Sequence, residues 1–78
     1  MNNNISFPHL YELITADGET FWINVSNIDK IEYSRQSANW CNVYLKDNTT
    51  PFLIKNTPDE FYELIIEDYL RLKERYRL

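Results

Sequence analysis

The chain of 78 residues carries a net charge of −4 and a single cysteine, Cys41. That length allows one domain with a thin core, marginal on its own and commonly helped by oligomerisation. The acid excess argues against binding extended nucleic acid, the lone cysteine against an intrachain disulfide, and the short apolar runs against a membrane span.

Residues 1–6 read as a flexible polar tail, and residues 7–78 as one domain of a single β-sheet plus a C-terminal helix. The N-terminus has neither a basic start nor an apolar leader, so the expected location is cytoplasmic. "LYELIT" is the first expected strand. "ADG" reads as a hairpin turn in which Gly18, the one glycine, takes positive φ. "TFWINV" follows as a second strand, with Phe21, Ile23 and Val25 on one face and Thr20, Trp22 and Asn24 on the other.

"SNID" is rich in turn formers. "KIEYSR" is a third strand and "QSAN" a polar loop. "WCNVYLK" is a fourth strand, with Cys41, Val43 and Leu45 inward and Trp40, Asn42 and Tyr44 outward. "PFLIK" is a fifth, and Pro51 places its start at an edge.

The C-terminal segment reads as a helix capped by Thr57, with Pro58 in the first position and Glu60 completing a capping box. Residues 1–70 hold four basic and eleven acidic residues, a balance of −7, whereas residues 71–78 hold four basic residues and Glu74, a balance of +3. Asp59, Glu60 and Glu63 at the helix start and Arg71, Lys73, Arg75 and Arg77 at its end match the helix dipole, which accounts for most of this asymmetry. The fold class is therefore α+β: a small antiparallel meander of about five short strands packed against one C-terminal helix.

No catalytic constellation emerges. His9, the only histidine, lies beside Pro8 and reads as an exposed loop side chain. Cys41 shares the parity of Val43 and Leu45 and reads as a small core residue rather than a nucleophile. Zinc spacing and a glycine-rich phosphate loop are both missing. The expectation is a non-enzymatic protein with no cofactor and no metal.

The surface is more informative. Trp22, Trp40 and Tyr44 share the outward parity with Asn24 and Asn42. Cross-strand pairing on a solvated sheet would account for them at about 0.2–1 kcal/mol a pair. Contact hot spots are also rich in Trp and Tyr. Tyr62, Ile66 and Tyr69 lie on a second flank of the helix, while Phe61, Leu64, Ile65 and Leu72 are expected to pack on the sheet, with Leu70 near the edge. A homodimer or higher homo-oligomer, or another partner, would cover the spare flank, and the alternative is self-cover by a long loop or by the N-terminal segment, for instance Phe7 and Leu10.

The motif "LITADGETFWINVSNIDKIE" followed by "NVYLKDNTTPFLIKNTPDEFYELI" resembles the FlbD-type family of small flagellar and swarming-motility proteins. The residues that carry the resemblance are Asp17, Gly18, Phe21, Ile23, Asn24, Ile28, Ile31, Glu32, Val43, Leu45 and the segment 57–66. It implies a small accessory protein without enzymatic activity. Small phage or mobile-element inhibitors have the same look. The reading is a protein-interaction or regulatory module that binds a protein partner through Trp22, Trp40, Tyr44, Tyr62, Ile66 and Tyr69. The alternative is a binder of a small nucleotide-like ligand stacked among Trp22, Trp40 and Tyr44, with Asn24 and Asn42 on its edge.

Overall fold

A computed structural model describes residues 9–76. The tail expected over 1–6, Phe7 and Arg77 lie outside them. Five strands and one helix follow in chain order: β1 (Leu10–Ile14), β2 (Thr20–Asn24), β3 (Ile28–Tyr33), β4 (Cys41–Leu45), β5 (Phe52–Ile54) and α1 (Pro58–Tyr76). The fold is α+β.

The strands form two antiparallel sheets, not the one continuous meander that the pattern suggests. β1 pairs with β2, and β3, β4 and β5 make the second sheet in that order. The break is a short 3-10 turn at Val25–Asn27. Asn24 caps it by accepting from the Ser26 backbone N–H at 3.0 Å, so Val25 leaves the strand it was expected to continue. Local side chain to backbone bonding has here won over extended pairing.

The β1–β2 hairpin closes as expected, with Gly18 at φ +89° and its N–H donating to the Thr15 carbonyl at 2.9 Å. One further bond, from the Ala16 N–H to the Leu53 carbonyl at 2.7 Å, ties the hairpin tip to β5. Phe21 sits at that junction, its ring 4.9 Å from that of Phe52. It shares the face of Ile23 yet is partly exposed, because the neighbour it meets is β5.

Leu13, Ile23, Cys41, Val43, Ile54, Phe61 and Ile65 form the core, drawn from both sheets and α1. Phe61 is the largest of its fully buried side chains and meets Tyr11 edge-on at 5.8 Å. Leu72 is half-buried. Leu64, expected in the core, is 40% exposed, because it points off the Phe61–Ile65 line toward the outer side of the hairpin.

The capping box is formed. The Glu60 N–H donates to Thr57 Oγ1 at 3.1 Å, and the Thr57 N–H donates to Glu60 Oε1 at 2.9 Å. Thr57→Ala removes one side of it and is expected to cost about 1 kcal/mol, which lowers the melting temperature by about 4–8 °C for a domain of this size. An unchanged melting curve would show that the cap contributes nothing.

Candidate functional site

The hairpin register sets the first surface. Glu12 stands opposite Trp22, and Leu10 opposite Asn24. Tyr11, Leu13 and Ile23 turn inward, so Leu10, Glu12 and Trp22 share the outward face. α1 runs close to β1 and brings Leu64, Glu67, Asp68 and Arg71 to the same place. Together with Tyr11 these residues line an open cleft of about 310 Å³.

Three apolar side chains of this cleft face solvent: Trp22 at 66% exposure, Leu10 at 48% and Leu64 at 40%. Grouped exposure of this kind marks contact surfaces in a way that single exposed side chains do not. Glu12 and Glu67 carry no ion pair among the described residues. Asp68 is engaged, with His9 Nε2 at 2.7 Å and Arg71 at 3.5 Å. Burial, and then the Asp68 carboxylate, push the Tyr11 phenol above its ordinary value.

His9 corrects the expectation of an exposed loop residue. Its side chain is only 12% exposed, and its ring lies 5.5 Å from that of Tyr69. The backbone explains the placement: the His9 carbonyl accepts from the Val25 N–H at 2.9 Å, which extends the β1–β2 pairing by one step and points the ring at α1. Self-cover of the helix by the N-terminal segment thus occurs at His9, while Leu10 stays exposed.

Trp40 and Tyr44 belong to a different place. They lie at the three-stranded sheet, whereas Trp22 is in the two-stranded one. Among the described residues none of these three rings contacts another. The expected single platform is corrected on this point, because the break at Val25–Asn27 separates the two sheets. Trp40 and Tyr44 are half-buried, each beneath an intramolecular ammonium: Lys30 lies 4.7 Å from the Tyr44 ring and Lys55 5.6 Å from the Trp40 ring. Asn42 is opposite Glu32 and Leu53 on that sheet. Asn24 spends its side-chain oxygen on the N–H and hydroxyl of Ser26. Among the described residues Trp22 has no comparable cation or ring partner.

Tyr62, Ile66 and Tyr69 are exposed on α1, as the helix geometry predicts, and Leu70 is exposed beside them. Leu10, Glu12, Leu64 and Glu67 were missed as partners of Trp22. The turn at residues 15–19 contained the signal, since a hairpin closed there places Glu12 opposite Trp22.

The remaining chemistry is sparse. Cys41 is fully buried, and burial pushes its thiol up to about 11. The folded protein is expected to leave Cys41 unmodified by a thiol reagent at neutral pH and to react only on unfolding. Rapid labelling in native buffer would contradict this. The hairpin-turn carboxylate of Asp17 is held below its ordinary value, first by the Thr15 hydroxyl that bonds it. No group of three or more His, Cys, Asp or Glu among the described residues is placed to hold a metal ion. None of the helical residues described forms a segment long and apolar enough to cross a membrane.

No protein-family model, curated protein or solved structure matches the chain.

Proposed function

We propose that this protein is a non-enzymatic interaction module that docks a protein segment in the cleft between the β1–β2 hairpin and α1. The carrying observation is the exposed group of Trp22, Leu10 and Leu64 beside the carboxylates of Glu12 and Glu67, which have no ion pair among the described residues. A tryptophan flanked by aliphatic side chains supplies contact area at low entropic cost. These two carboxylates select a segment that carries Lys or Arg next to an apolar side chain. The resemblance to FlbD-type accessory proteins rests on the sequence pattern and agrees with a binding role.

A nucleotide-like ligand between Trp22, Trp40 and Tyr44 is the weaker reading, because these rings belong to two sheets. Selection from a displayed peptide library on the folded protein tests the proposal. Enrichment of segments with an apolar residue flanked by Lys or Arg supports it. Acidic sequences, or no enrichment, count against it.

A further inference from the structure

A second surface lies on α1, centred on a different flank from the Trp22 cleft; it shares Glu67 with that cleft but does not depend on what binds there. At about 100° per residue, Tyr62, Ile66, Tyr69 and Lys73 fall within roughly 60° of one another and about a quarter turn from the buried line of Phe61, Ile65 and Leu72. All four are exposed. Steps of four, three and four residues between them match the a and d positions of a two-helix seam. Tyr62 and Ile66 line a shallow hollow together with Asp59, Glu63 and Glu67. Among the described residues neither these three carboxylates nor Lys73 forms an ion pair.

We propose that a second copy of this chain docks on this stripe, with the two α1 helices antiparallel about a twofold axis and Lys73 of each copy entering the Asp59–Glu63 hollow of the other. Charge complementarity selects this occupant and this direction. The stripe is acidic toward its start and carries Lys73 near its end, so antiparallel pairing brings opposite charges together twice. Parallel pairing would set the carboxylates against one another and Lys73 against Lys73. In the antiparallel register Ile66 packs on Tyr69 of the other copy, and the Tyr62 ring lies beneath the incoming ammonium. The surface is self-complementary and closes at two copies.

Sedimentation over a concentration series tests this. The wild type is expected to be a dimer. Lys73→Glu is expected to raise its dissociation constant about tenfold or more. Adding Glu63→Lys to Lys73→Glu re-forms the pair with its signs exchanged and restores the dimer. Ile66→Ser breaks the same seam without a charge change, and the exposure of all three positions predicts unchanged circular dichroism. A monomeric wild type overturns the proposal. So does a dimer indifferent to Lys73→Glu, a double variant no better than the single one, or a dimer that responds only to Trp22→Ala.

Discussion

Phe61→Ala is expected to destabilise the domain by about 3–5 kcal/mol, the usual cost of emptying a phenylalanine site in a packed core. The side chain is 1% exposed and lies among core residues from both sheets. Among the described side chains of α1 no other is fully buried. Its loss therefore loosens the helix from the hairpin and from the three-stranded sheet together. Chains of this length have a total stability of about 4–12 kcal/mol, so the variant loses a large share of it. Denaturant titration followed by tryptophan fluorescence measures the effect. A loss under about 1.5 kcal/mol would mean that the helix is held elsewhere.

Trp22→Ala is expected to do the opposite, with little effect on folding and a large one on binding. On the outward face, Trp22 has a cross-strand neighbour in Glu12 and contributes no core contact. Its folding cost should stay within the cross-strand range, about 0.2–1 kcal/mol. In a contact surface a tryptophan of this exposure is an anchor, and its truncation costs about 2 kcal/mol or more, roughly a thirtyfold loss of affinity. Calorimetric titration with a peptide selected on the wild type, together with a thermal melt, separates the two terms. Equal affinity in the two proteins would remove Trp22 from the docking surface. A collapsed fold would show that the hairpin needs its indole.

Local signals in the sequence foretell the local structure well. The Asp17–Gly18 turn, the Thr57–Glu60 cap and the alternation in β4 each depend on residues a few positions apart, and each is present. The inward Cys41 and Val43 and the exposed Tyr62, Ile66 and Tyr69 follow from periodicity alone. What the pattern does not hold is the relation between strands distant in sequence. Trp22 and Tyr44 share a parity, yet parity says nothing about whether their strands are neighbours.

The break at Val25–Asn27 decided that question, and its signal was the capping oxygen of Asn24, which resembles any strand-end asparagine. Leu64 was misplaced for a related reason. Helical angle ranks residues by direction but does not show where the supporting layer ends, and Leu64 lines the cleft beside Leu10 and Trp22 instead of the core. His9 shows the same limit, since its place on α1 comes from partners distant in sequence, the Val25 backbone and the side chains of Asp68 and Tyr69.

The most direct test of the docking surface uses the two tryptophans as reporters. Trp22 and Trp40 each give one indole N–H resonance, and Trp22→Phe assigns them. Titration with a selected basic, apolar peptide is predicted to move the Trp22 resonance in step with binding and to leave that of Trp40, beneath Lys55 on the other sheet, in place. Movement of the Trp40 resonance with Trp22 unchanged would contradict the account and place the docking surface on the outer face of the three-stranded sheet.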